Sequence, residues 1–359
     1  MFGSIFKNKR ILITGHTGFK GSWLTLWLLS LGAKITGISL PPNTQPSHFE
    51  ILDIEKKINH NNLDICDYSK VNHIINLEKP DFIFHLAAQS LVSKAYKEPL
   101  ETIKTNILGT ANVLQSLRNV SKKTIAIIII SDKCYKNLEW EWGYRENDIL
   151  GGNEAYSSSK ASAEIIIESF FKSYFLNNNQ VKIGVGRAGN VIGGGDWAKD
   201  RIVPDAIRAW NLKKLLKVRN PNSTRPWQFV LEPLSGYLSL AYNLYLKDIN
   251  NGEAFNFGPN LYDKPVSELI TQISKTLKIK HKLSNKKNQK IKESGLLKLN
   301  CDKAQSFLNW NPVLNFEETV DLTANWYKKF YNNKCISLSQ IKLYEKKAKQ
   351  RKINWTITN

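Results

Sequence analysis

Cysteine is scarce in this chain, with four in 359 residues. Cys66, Cys134, Cys301 and Cys335 are scattered and share no metal-type spacing. That argues against a disulfide framework or a cysteine metal centre, and a reducing, cytoplasmic compartment is the economical reading. No metal is expected. Long apolar runs are missing, which argues against a membrane span. The first residues have neither the apolar core nor the small-residue cleavage site of a secretory signal. Internal repeats and long low-complexity linkers are also missing. Acidic residues are outnumbered: 31 Asp and Glu against 51 Lys and Arg leave a formal net charge of +20. The lysines spread along the chain and concentrate at 275–303 and 342–352. No nucleic-acid motif or aromatic-interleaved basic stripe accompanies them, so nucleic acid is not the expected partner. A field that draws in an anionic small molecule, over a solvated Lys-rich surface, fits better.

Against these absences stands a glycine-rich turn. Residues 9–14 (KRILIT) read as a strand, and Gly15-His16-Thr17-Gly18-Phe19-Lys20-Gly21 then opens a helix (SWLTLWLLSLGA). Three glycines between strand and helix permit a tight turn, close approach of a pyrophosphate to free amide N–H groups, and close helix packing. The stretch reads as a dinucleotide loop, with Thr17, Phe19 and Lys20 at the ligand. A second strand (34–40) ends at Ser39, where NAD-binding folds carry an acid, so the choice of NAD over NADP is less firmly marked. Asp64 closes another short strand, placed to accept from an adenine amino group, with Ile65 beside it. Residues 81–87 (DFIFHLA) form the next strand; Leu86, Ala87, Ala88 and Gln89 at its end let backbone lie against a flat ring. The segment 98–118 is helical in pattern and carries Asn106 among apolar neighbours, a further cofactor contact.

The run Ile125–Ile130 (IAIIII) is wholly apolar and mostly β-branched, the pattern of a strand buried on both faces of a parallel sheet. It stops at Ser131-Asp132-Lys133, where the carboxyl ends of strands meet a ligand crevice. Asp132 and Lys133 diverge on a continuing strand and converge only if the chain turns there. Cys134 beside them reads as structural. Tyr156 and Lys160, four apart at the start of a helix, share one face, and an ammonium beside a phenol lowers its pKa and makes it a base. Strands alternating with helices to residue 188 predict an α/β fold, a Rossmann-type doubly wound parallel sheet with a smaller C-terminal α/β domain. The predicted organisation is a dinucleotide domain over 1–188, rejoined by 226–260, and a substrate domain over 189–225 and 261–335. Residues 336–359 form a basic terminal helix, read as a surface element. Arg187, Asn190, Arg219 and Arg225 could meet phosphate oxygens, since guanidinium groups suit bidentate phosphate recognition. Core packing is the other reading of Trp227, next to Arg225.

The phrases GHTGFKGSWL (15–24), SDKCY (131–135), WGYREND (142–148), RAGNVIGGGDWA (187–198) and RPWQFVLEPLSGYL (225–238) resemble the extended short-chain dehydrogenase/reductase family that modifies nucleotide sugars. Within it the likeness is to the 4,6-dehydratases, over roughly residues 8–330. The most specific feature is Asp132-Lys133 after Ser131: dehydratases of other nucleotide sugars have Asp-Glu there, and epimerases lack the acid pair. The resemblance implies NAD as cofactor, CDP-glucose as substrate and an internal redox cycle. Tyr156, lowered in pKa by Lys160 and by the positive nicotinamide, takes the C4 hydroxyl proton while Ser131 hydrogen-bonds the oxygen. Asp132 as acid and Lys133 as base eliminate water across C5 and C6, and hydride returns to C6. The resemblance also implies a homodimer, or a tetramer built from it, through helices near 98–118 and 156–176, and a place in deoxysugar supply. The alternatives are another nucleotide-sugar dehydratase of the family, an epimerase or decarboxylase using the same Tyr/Lys oxidation, and a basic binding protein with a degenerate Rossmann domain.

Overall fold

The apolar run of residues 125–130 lies inside a seven-stranded sheet whose paired strands are all parallel. The computed structural model describes residues 1–218, 220–247, 250–259, 264–283 and 296–357. In chain order the strands are β1 (Arg10–Thr14), β2 (Lys34–Ser39), β3 (Asn59–Asn62), β4 (Phe82–His85), β5 (Thr124–Ser131), β6 (Val181–Ala188) and β7 (Ala254–Phe257). Their spatial order is β7-β6-β5-β4-β1-β2-β3. Every residue of β5 and β6 is buried, because helices cover both faces of the sheet. Strand order reverses between β1 and β4, and there the carboxyl ends open a crevice.

One apolar layer, containing Leu12, Ile83, Ile128 and Val185, packs against the helices at 68–78, 109–117 and α2 (Ala155–Phe170). The other holds Ile13, Phe84, Ile127 and Phe255 against α1 (Phe19–Ser30) and α4 (Leu231–Leu246). Beyond β6 the chain builds α3 (Ile202–Asn211) and, among the described residues, three two-stranded ribbons, the largest pairing Leu216–Val218 with His281–Leu283. Helix α5 (Phe316–Phe330) begins with a capping box between Asn315 and Glu318.

The terminal helix α6 (Ser337–Gln350) is more than a surface element. Ile341, Tyr344 and Ala348, at helical spacing, are fully buried. Trp27 Nε1 donates to Glu345 Oε1 at 2.8 Å, and the Tyr344 hydroxyl donates to buried Glu232 at 2.7 Å. Its lysines occupy the outward stripe and hid this apolar face in the composition. No helix among the described residues is long and apolar enough to cross a membrane.

Candidate active site

The glycine turn forms where β1 ends. Gly15 has φ +76°, and a Cβ on it would stand 2.6 Å from the Ala87 nitrogen; a Cβ on Gly21 would stand 2.1 Å from the Gly15 carbonyl oxygen. Both positions require glycine, one for backbone conformation and one for helix contact. The first amides of α1 have no partner within the helix and face the crevice. Gly15, Thr17, Gly18, Phe19, Lys20, Gly21, Asp64, Ile65, Leu86, Ala87, Ala88 and Gln89 all line one cavity of about 1270 Å³. Ser39, which stands where an acid is customary, pairs through its hydroxyl with Thr17 Oγ1 at 2.7 Å. Asp64 Oδ1 accepts the Cys66 N–H at 2.9 Å.

On the same cavity lie Ser131, Asp132, Lys133, Tyr156 and Lys160. A 3₁₀ turn over Asp132–Cys134 ends β5, so both side chains can meet one ligand. Ser131 Oγ donates to Asp132 Oδ1 at 2.8 Å, and Lys133 Nζ approaches the same oxygen at 3.3 Å. Asp132 is 1% exposed and its Oδ2 has no hydrogen-bond partner. Helix α2 starts at Ala155 because Glu154 caps it, accepting the Tyr156 and Ser157 N–H groups at 2.7 Å each.

The Tyr156 phenol departs from expectation. Burial pushes its pKa up to about 12; the Ser131 hydrogen bond and the positive charge of Arg201 oppose that, while Asp132 and Glu154 reinforce it. Lys160 is itself drawn down to about 8 by burial. The expected depression of the phenol by Lys160 is therefore overturned in the protein alone, because desolvation outweighs the neighbouring charges.

Two further expectations are corrected. Arg187 does not face the cavity: Nε lies 2.8 and 2.9 Å from the two carboxylate oxygens of Glu164, and Nη1 donates to the Tyr135 hydroxyl at 2.6 Å. It is 3% exposed, so its charge is spent inside the protein rather than on a diphosphate. Asn106 sits behind the cofactor wall. Its carboxamide accepts the Gln89 N–H at 2.8 Å and donates to the Gln89 carbonyl at 3.0 Å and Ser159 Oγ at 2.8 Å. A π-helical turn at Lys104–Leu108 turns it inward, where it braces the wall against α2. Asn190 and Arg225 do line the cavity, and Arg225 Nη1 donates to the Thr224 carbonyl at 2.7 Å. Arg219 lies outside the described residues. Trp227 is buried, donates to the Lys264 carbonyl at 2.9 Å and also borders the cavity.

The sequence reading missed Arg201. It immediately precedes α3 on the cavity wall, held by Asp196 Oδ2 at 2.9 Å. Asp196 is fixed in turn by the Ala198 N–H at 3.0 Å and by Tyr327, whose hydroxyl accepts the Asp196 N–H at 3.0 Å. Its only signal was a basic residue closing a Gly-rich segment just before a helix. Lys20 is brought down to about 7, first by burial and then by Lys160 and Arg201, which places these cations around one space.

A family model described as GDP-mannose 4,6 dehydratase matches residues 12–323. A CDP-glucose 4,6-dehydratase of Salmonella typhimurium is 43% identical over 331 residues, covering 90% of this chain and 92% of that protein. The chain belongs to this nucleotide-sugar dehydratase family. Other members are more distant: a dTDP-glucose 4,6-dehydratase of Haemophilus influenzae is 26% identical over 88% of this chain and 97% of its own. The dehydratase fold extends to solved structures. One of a Streptomyces venezuelae dTDP-glucose 4,6-dehydratase with NAD bound superposes with a TM-score of 0.75 at 20% identity, covering 89% of this chain and 97% of that one. A UDP-glucose 4-epimerase of Thermotoga maritima superposes at 0.77 with 21% identity, over 90% and 99%. The fold is thus shared by a dehydratase and an epimerase alike.

Proposed function

We propose that the chain is a NAD-dependent 4,6-dehydratase that converts CDP-glucose to CDP-4-keto-6-deoxyglucose and water. The observation that carries the reading is Asp132 with Lys133 beside Ser131, in one cavity with Tyr156 and Lys160. Identity of 43% to a CDP-glucose dehydratase over nine-tenths of the chain supports the substrate. The residues present fit a dinucleotide: the turn at Gly15 and the contact at Gly21 leave no room for side chains, and Gly18 leaves the first helical amides open to a pyrophosphate. A bound NAD+ would supply hydride acceptance and return, the chemistry the cofactor carries.

The chain's own groups then manage the protons. Tyr156 takes the C4 hydroxyl proton, with Ser131 hydrogen-bonding the oxygen and Lys160 on the same helix face. The resulting ketone acidifies the C5 hydrogen, which Lys133 removes as the base. Asp132 protonates the departing C6 hydroxyl through a carboxyl oxygen that the protein leaves unpartnered. Asn190 and Arg225, with Arg219, hold the diphosphate and bring the sugar within reach. Incubation of CDP-glucose with the purified protein and NAD+ tests the reaction. A 4-keto-6-deoxy product, seen by its alkaline absorbance and the mass of lost water, supports the reading. A product that keeps its 6-hydroxymethyl group contradicts it.

The assembly we propose is a homodimer, or a tetramer built from it. Leu100, Ile103 and Leu108 on the 99–108 segment and Ile165 on α2 are large apolar residues left exposed. The proposed setting is the cytoplasm, with the product feeding deoxysugars to surface polysaccharide such as lipopolysaccharide O-antigen.

A further inference from the structure

We propose that Asp205 reads the base of the substrate: its carboxylate accepts the 4-amino group of cytosine and repels the 4-carbonyl that uracil and thymine carry in the same place. The inference rests on the dehydratase reading above and adds the residue that selects the nucleotide. Asp205 lies in the first turn of α3, where its N–H bonds the Arg201 carbonyl at 2.9 Å. Residues four apart share a helix face, and both side chains border the cavity. Asp205 thus stands one turn, about 6 Å along the helix, beyond the guanidinium that acts on Tyr156. Its direction is set from behind. Arg208 donates to Asp205 Oδ1 and is itself held by the carbonyls of Trp197 at 2.9 Å and Ala198 at 3.3 Å. The carboxylate remains about a third exposed, and its two oxygens offer about four acceptor sites.

The surroundings decide what this acid meets. A carboxylate is repelled by a diphosphate, so its ligand is the nucleoside end of the substrate. Helix α3 packs against the strand Leu216–Val218, and Val203, Leu216, Val218 and Trp227 are buried residues that line the cavity. Apolar walls with a few placed polar groups suit a flat base. In the parallel ribbon the Leu216 N–H bonds the Lys280 carbonyl, so the N–H and carbonyl of Lys217 turn to the opposite edge. Lys217 also lines the cavity. Its backbone offers one donor and one acceptor, which cytosine and uracil can each satisfy, so it cannot choose between them. Two other acids on this wall do not compete. Asp196 is tied to Arg201 and to the Ala198 N–H, and Asp200 sits on an exposed turn. The pyrimidines differ at C4, where cytosine carries an amino donor and uracil or thymine a carbonyl acceptor. An ionised carboxylate only accepts, so it binds the first and rejects the second.

The test compares nucleotides on the full-length protein with NAD+. In wild type, kcat/KM for CDP-glucose should exceed that for UDP-glucose and dTDP-glucose by about a hundredfold or more. Asp205→Asn, whose amide can donate to a 4-carbonyl, should raise the UDP-glucose value and cut the ratio by about 10–100-fold. Calorimetric binding of CDP and UDP should shift in the same sense. CDP-glucose dimethylated on the 4-amino nitrogen should turn over on wild type as poorly as UDP-glucose, and this arm serves if Asp205→Asn does not fold. An unchanged ratio in Asp205→Asn, an equal loss for both nucleotides, or full turnover of the dimethylated substrate would overturn the assignment. If wild type forms no 6-deoxy sugar from any of these substrates, the dehydratase reading itself fails. Binding of CDP against UDP, in wild type and Asp205→Asn, then decides the role of Asp205 separately.

Discussion

Arg187 Nε lies 2.8 and 2.9 Å from the two carboxylate oxygens of Glu164, and both side chains are almost wholly withdrawn from solvent. The pair ties β6 to the helix that carries Tyr156 and Lys160. Through Nη1 and the Tyr135 hydroxyl it also holds the turn after Asp132 and Lys133. Removing one partner strands the other as a buried charge. Arg187→Met should therefore destabilise the fold by about 3–5 kcal/mol, read by denaturant unfolding. A loss confined to substrate affinity would restore Arg187 to the diphosphate.

Tyr156→Phe removes the proposed base and leaves the glycine turn untouched. Turnover should fall by about 10²–10⁴, while NAD binding measured by calorimetry stays near wild type. Asp132→Asn should oxidise C4 and then stop, so a single turnover accumulates bound reduced cofactor.

Arg201→Met addresses the phenol from the other wall of the cavity. The guanidinium opposes the rise of the Tyr156 pKa, so its removal should raise that pKa further. On the proposed mechanism the phenolate is the active form, so the acid limb of the pH–rate profile should move to higher pH, by about one unit. Arg201→Lys should move it less. An unmoved limb with a raised KM would instead assign Arg201 to anion binding.

Much of this site was legible before any coordinates, and the reason is local. The glycine spacing at 15–21 and the apolar run at 125–130 declare their conformations through nearest neighbours. Tyr156 and Lys160 needed only helical spacing. Arg187 was misread because its partner, Glu164, is brought opposite by the packing of α2 on the sheet. Asn106 faces inward because of a π-helical turn that no spacing rule marks. Arg201 escaped notice because Asp196, its anchor, is positioned by Tyr327, 131 residues away. The lysines of α6 masked a buried face that tertiary packing alone reveals.

Glu232 is the pin of that terminal helix. Its carboxylate accepts the Val313 and Leu314 N–H groups at 2.9 and 2.7 Å and the Tyr344 hydroxyl at 2.7 Å. Glu232→Gln sets an amide donor against one of those donors and should destabilise the protein by about 1–3 kcal/mol. Burial raises its pKa to about 7 from 4.5. The folded state thus holds the proton more tightly than the unfolded chain. That stabilisation is full below about 4.5 and lost as pH rises through about 7. Unfolding free energy measured across this window should lose that component in the Gln variant.

Exposed apolar side chains on the 99–108 segment predict the assembly. Leu100 is 79% exposed. Leu100→Asp should shift sedimentation toward the monomer with little change in monomer stability, since so exposed a side chain has little packing to lose. An unchanged sedimentation coefficient would place the contact elsewhere.

The central claim is that one hydride leaves C4 and comes back at C6 of the same sugar. CDP-glucose carrying deuterium at C4, mixed with unlabelled CDP-glucose, should give a 6-deoxy product with that deuterium in its new methyl group and no exchange between molecules. Deuterium lost to solvent or free cofactor, or still at C4 of a sugar that keeps its hydroxymethyl, would contradict the account.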